Sequence, residues 1–248
     1  MIETSLWTGP EPSAAVDACR VEFELDGKRL ELDAVDVSEL PFERATAVRE
    51  FPAWRGKRHY SGSLWMEGVR GHVAFESLAE RLCLIELDRD PRVTGVASQP
   101  MWIRWGDGSP REHAPDYFVR LSDGTGALID VRPRERIDDA ARVQFDRTAI
   151  FCRIQGWRYA VYAPDSPIRD ANLRFLLRYR EPRWRSAEIT ARAAGFRGAL
   201  GALADVIDDG DRAEAFGRAY ALMWSGQIIA DLEQPLSPRS AVTWRGEL

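Results

Sequence analysis

The sequence predicts a mixed α/β core followed by a small, largely helical module. Three observations carry that expectation. Residues 114–136, APDYFVRLSDGTGALIDVRPRER, read as two strands around a Ser-Asp-Gly-Thr-Gly turn. Residues 73–88, VAFESLAERLCLIELD, instead repeat apolar residues at three and four, through Phe75, Leu78, Leu82 and Ile85, the helical period. At Pro182 the pattern changes, and short helical stretches follow one another.

The elements follow in order. Residues 20–33, RVEFELDGKRLELD, alternate around Asp26-Gly27, a strong hairpin signal. Residues 41–71 are rich in Pro, Gly, Trp and Arg without a period, and read as a long surface segment suited to ordering on a partner. The helix over 73–88 stops at Asp90-Pro91. Residues 92–105 form extended segments broken near Gln99-Pro100. After the 114–136 hairpin comes a helix from Asp138 to Gln155, ended by Gly156, then a strand over 157–164 and a helix over 168–180. Alternation of strands and helices at these spacings is an α/β core. The predicted domains are an N-terminal β-hairpin extension over 1–45, the core over 46–185 and a C-terminal module over 186–248. In that module two short helices precede DRAEAFGRAYALMWSG, with Asp211 as N-cap and Glu214 three residues on. Two strands around a proline-containing turn close it. Three helices and a hairpin fit a winged-helix-like module, and equally a small helical bundle with an irregular tail.

Composition narrows the function classes. Of 248 residues, 45% are hydrophobic and 29% charged, as in ordinary globular proteins. No apolar run approaches a membrane span. The opening MIETSLWTGPEPS lacks a basic region followed by an apolar one, and Cys19, Cys83 and Cys152 are scattered without metal-ligand spacing; both suit a cytoplasmic location. The net charge of -5 does not advertise a nucleic-acid binder, but charge is local. Residues 49–58, REFPAWRGKR, carry four basic residues against one acid, and 169–185 carry six arginines against two acids. Interleaved with Trp54, Tyr179 and Trp184, these segments suit a phosphate backbone and stacked bases. They suit solvated arginine equally well. Phosphate-loop glycine patterns and nucleophile elbows are absent.

The hairpin carries the chemistry. Asp116 lies seven residues before Asp123, and Asp130 seven after it. Symmetric pairing sets Asp116 and Asp130 opposite each other, roughly 5 Å apart. Facing carboxylates repel unless a divalent cation lies between them, and oxygen ligands suit Mg²⁺ or Mn²⁺. Arg132, two residues on, shares the face of Asp130. It can clamp a phosphate oxygen but is a poor base. Glu76, on the preceding helix, is the third carboxylate. His113 is placed to contact phosphate or to make an ordinary strand-edge hydrogen bond, and Gln144 to face the same site or solvent.

With these residues in place, FPAWRGKRHYSG, GHVAFESLAERLCLIELDRDPRVTGVASQP, HAPDYFVRLSDGTGALIDVRP and NLRFLLRYREPRW together resemble the TnsA-like endonuclease subunit of bacterial heteromeric transposases. The resemblance covers residues 47–185 and, more loosely, the C-terminal module. It implies a restriction-endonuclease-like, PD-(D/E)xK nuclease core with a winged-helix-like C-terminal domain. It also implies metal positions at Glu76, Asp116, Asp130 and the backbone of Val131, and Arg132 at the lysine position. In the better-known branch the Asp130 position holds glutamine and the Arg132 position lysine, so this chain departs at both; Lys57 is a candidate replacement for the lysine. The implied activity is Mg²⁺-dependent nicking at the 5′ ends of a transposon, with Mn²⁺ able to substitute. The implied partners are double-stranded DNA at the transposon ends, a DDE-type transposase subunit and an AAA+ ATPase regulator. Arg55, Lys57, Arg58 and His113 are the expected DNA contacts. The alternative is a catalytically silent subunit that keeps the fold and binds DNA ends. A repair-type nuclease acting alone is a third reading. The candidate recognition helix over 212–224 is weakly basic, which favours protein docking for the C-terminal module.

Overall fold

The computed structural model describes residues 6–9, 19–49, 60–106 and 112–246. The chain is mixed α/β and divides into two compact units. One comprises residues up to Asp88 with Arg92–Asp165; the other comprises Arg89–Pro91 with Ser166–Leu248.

The first unit holds two four-stranded sheets. Strands β1 (Arg20–Leu25) and β2 (Lys28–Asp33) form the expected hairpin, with Asp26 at φ 50 and Gly27 at φ 75. Two consecutive positive φ values match the right-handed twist of the strands, and Asp-Gly tolerates them. The hairpin is not an appendage. β1 pairs with β6 (Met101–Arg104), which pairs with the short β7 (Glu112–His113), giving the order β2-β1-β6-β7. Val21 and Phe23 point into the core shared with Phe118, Leu128, Phe151 and Trp157. Residues 41–49 also correct the sequence reading of a surface segment. Phe42 is fully buried, with its ring 5.0 Å from Phe23, 5.7 Å from Phe118 and 5.6 Å from Trp157. Leu40, Pro41 and Phe42 stand together before Glu43 and Arg44 without a helical or strand period, so only packing reveals the burial of Phe42.

The predicted helix over 73–88 begins as strand. β4 (Gly71–Phe75) pairs with β3 (Gly62–Met66), and α1 spans Leu78–Asp88. Ser77 and Glu80 set that start. Ser77 Oγ accepts from Glu80 N–H at 3.1 Å, and the Glu80 carboxylate accepts from Ser77 Oγ–H at 2.8 Å and Glu76 N–H at 2.7 Å. This variant of the capping box satisfies helix donors that would otherwise be orphaned.

From α1 the chain runs through β5 (Val93–Ser98), β8 (Tyr117–Leu121), β9 (Gly126–Val131), α2 (Asp139–Ile154) and β10 (Arg158–Tyr162), with β6 and β7 diverted to the first sheet. The second sheet has the order β10-β9-β8-β5. β5, β8 and β9 are antiparallel, while β10 returns parallel to β9 after the α2 crossover. Asp138 caps α2, its carboxylate accepting from Ala141 N–H at 2.8 Å. Trp7 N–H donates to Tyr159 O at 3.0 Å, and Leu6 bridges Ala160, so residues 6–9 cover the β10 edge.

The second unit opens with α3 (Pro167–Leu176), ahead of the boundary read at 186. α3 belongs there because Asn172 Nδ2 donates to Leu232 O and Gln234 O, both at 2.8 Å. Then follow α4 (Ala187–Ala193), β11 (Arg197–Ala199), α5 (Leu200–Ile207), α6 (Arg212–Trp224), β12 (Ile228–Ala230) and β13 (Ala241–Trp244). β11 escapes the sequence reading because three residues carry no period; it pairs with β13, giving the sheet β11-β13-β12. Asp211 caps α6 through Ala213 N–H and Glu214 N–H. No helix among the described residues is long and apolar enough to cross a membrane.

Candidate functional site

The open end of the β8–β9 hairpin gathers the acids. Tyr117 pairs with Ile129, so the next step of the ladder faces Asp116 with Asp130. Asp116 Oδ2 accepts from Val131 N–H at 2.7 Å. Burial pushes the Asp116 carboxyl well above the usual carboxylate range; the Asp130 charge and then the Glu80 charge add to this, while the Val131 N–H and Arg49 pull the other way.

Asp130 is buried and heavily committed. His113 Nε2 lies 3.0 Å from its Oδ2, and the Tyr159 hydroxyl donates to the same oxygen. The far nitrogen of that imidazole, Nδ1, meets Gln144 Nε2. With Gln144 donating to Nδ1, His113 offers its Nε2–H to Asp130. Burial, and then the Asp130 charge, holds the Tyr159 hydroxyl well above the usual tyrosine range, so it remains a donor. His113 is therefore enclosed between Asp130 and Gln144 rather than open to a phosphate. Gln144 faces the site.

The start of α1 supplies two acids: Glu76, which stands two residues ahead of the helix rather than on it as expected, and Glu80 in the first turn, which the sequence reading does not name. Glu76 Oε2 accepts from Gln99 Nε2 at 2.9 Å and from Arg49 Nη2 at 3.1 Å. The Glu80 charge adds to the rise of the Asp116 carboxyl. Burial raises the Glu80 carboxyl above its ordinary value, with its hydrogen bonds to Glu76 N–H and Ser77 opposing and the Glu76 charge adding to the rise. The Ser77-x-x-Glu80 spacing is the signal that marks Glu80 in the sequence.

Arg132 departs from its expected place. It is exposed, and its Nε donates to Arg136 O at 3.0 Å, folding the guanidinium onto the following turn. Val131 reaches the cluster through its N–H, not through the carbonyl expected as a ligand. Arg55, Lys57 and Arg58 lie outside the described residues. In the second unit, Arg218 pairs with Asp209 at 2.6 Å and Glu214 at 2.7 Å, and Arg212 pairs with Asp205.

Among the described residues no group of three or more His, Cys, Asp or Glu side chains is arranged to hold a metal ion. The donor chemistry nonetheless suits a hard divalent cation: two facing carboxylates, one of them held abnormally basic by burial and its neighbour. The third ligand is not brought in, because Glu76 is bound to Arg49 and Gln99 while Glu80 closes the start of α1. No protein-family model matches the chain, and no curated protein matches it.

Proposed function

We propose that this chain is a metal-dependent DNA endonuclease subunit of a TnsA-like heteromeric transposase, cutting at the 5′ ends of a transposon alongside a DDE-type transposase. The observation that carries this reading is the facing of Asp116 and Asp130, with Glu80 raised beside them from α1. The chain order α1, β5, β8, β9, α2, β10 supports a restriction-endonuclease-like core. The order α4, β11, α5, α6, β12, β13 supports a winged-helix-like module. Paired arginines on α6 favour protein docking for it over DNA binding.

On this reading Asp116 and Asp130 are the oxygen donors, and Glu80 joins Glu76 as a candidate for the third carboxylate. Val131 N–H orients Asp116, while His113 and Tyr159 fix Asp130. When bound, Mg²⁺ or Mn²⁺ supplies charge neutralisation at the scissile phosphate and acidifies a water. The side chains position that phosphate and exclude competing water.

The silent assembly subunit is the second reading. Arg132 turned onto Arg136 O and the missing third ligand favour it. Two measurements separate the readings. In the first, Mn²⁺ at about a hundred times its Kd should stabilise the wild type by roughly 2.7 kcal/mol. Asp116→Asn should lose most of that gain, and equal Tm rises for both proteins would favour the silent subunit. In the second, the chain is incubated with its partner transposase, ATPase and end-bearing DNA in Mg²⁺. Nicking that Asp116→Ala abolishes supports the endonuclease, and absence of nicking while transposition proceeds rejects it.

A further inference from the structure

Resting on the nuclease reading, we propose that Arg49, held by Gln99, presents positive charge to a DNA phosphate at the carboxylate cluster, the role the sequence gives to Arg132. Among the described residues, Arg49 is a cation that the fold brings to the acids. Its Nη2 is 3.1 Å from Glu76 Oε2, its Nε donates to Gln99 Oε1 at 3.2 Å, and its guanidinium lies 5.9 Å from the Trp102 ring centroid. Among the described residues its Nη1 makes no hydrogen bond, and the side chain is 43% exposed. Two of its nitrogens are thus held by Gln99 and Glu76 while the side chain keeps substantial exposure, and a guanidinium fork suits bidentate or bridging phosphate contact.

Gln99 makes that arrangement specific. It is buried, yet its backbone sits at φ 45, in the left-handed region that costs a non-glycine residue energy. In that conformation four bonds radiate from one residue. Its N–H donates to Asp116 O and its carbonyl accepts from Val48 N–H, both at 2.9 Å, while its amide bridges Glu76 and Arg49. The strained residue ties Asp116, Glu76 and Arg49 into one unit. Gln99 is a positioning residue, acting through Arg49.

The test is duplex-DNA binding by the full chain with Ca²⁺ present, measured by fluorescence anisotropy from low to moderate salt. Losing one phosphate contact lowers the slope of log affinity against log salt by about one. Arg49→Gln should show that loss and Arg49→Lys should largely retain the slope. Gln99→Ala should fall between them, and Arg132→Gln should leave the slope unchanged. A slope that Arg49→Gln does not move, or a wild type that does not bind duplex, overturns the proposal. If Arg49→Gln fails to fold, a slope lost in folded Gln99→Ala supports the proposal and an unchanged slope there rejects it. Nicking in Mg²⁺ is scored separately. A wild type that binds with an Arg49-dependent slope but never nicks end-bearing DNA in the presence of its partner transposase and ATPase, while transposition proceeds, upholds this inference and rejects the endonuclease reading.

Discussion

The two ends of the β8–β9 hairpin treat the same side chain in opposite ways. At the turn, Asp123 is exposed. Its Oδ1 accepts from Thr125 N–H at 2.8 Å, and hydrogen bonds to Thr125 hold its carboxyl below the ordinary range. At the open end, Asp116 is held well above that range, first by burial and then by Asp130. The turn aspartate is satisfied by backbone and solvent, as a turn residue should be. The pair at the open end carries an electrostatic cost that folding alone does not relieve. Perturbation of this kind concentrates where a protein binds or reacts.

Substitutions at the three aspartates should separate the ends. The largest effect is expected from Asp130→Ala, which leaves the buried His113 and Tyr159 without their shared acceptor. The cost should be roughly 2–3 kcal/mol, read from chemical denaturation. An unchanged midpoint would mean that this network does not stabilise the fold. Next comes Asp116→Asn, which should raise stability at neutral pH. The folded chain holds a proton on Asp116 to higher pH than the unfolded chain, so stability falls as pH rises. That contribution is whole below about pH 3.9 and is lost as pH climbs through the raised folded value. Wild type and Asp116→Asn should therefore converge in acid and diverge at pH 7; a variant less stable than wild type at pH 7 contradicts the raised carboxyl. Asp123→Ala should have the smallest effect and the opposite sign. A lowered carboxyl stabilises above its ordinary value and loses that contribution as pH falls, so the variant should be slightly weaker at pH 7 and match wild type in acid.

Much of the second sheet is legible in the residues. Alternation on both sides of Ser122–Thr125 gives β8 and β9, and Asp138 followed by apolar spacing gives α2. The facing of Asp116 and Asp130 follows from symmetry about the turn, and the register agrees. The break at Gln99-Pro100 is visible too, although its left-handed backbone is not. The start of α1 is misplaced because Val73 and Phe75 satisfy helical and strand spacing alike; pairing with β3 settles the matter.

By itself, then, the sequence determined the α/β class, the hairpin with its two terminal acids, the start of α2 near Asp138, the helix cap at Asp211, and a basic, aromatic segment before β3. Tertiary structure alone decided which charges meet. It folded the β1–β2 hairpin into the core, seated Phe42 among three other rings, enclosed His113 beside Asp130, turned Arg132 onto its own turn and brought Arg49 across to Glu76. The physical reason is range. Periods and caps are set by neighbours three or four residues away, whereas Arg49 and Glu76 stand 27 residues apart and meet only after β3, β4 and the β5–β6 break are in place.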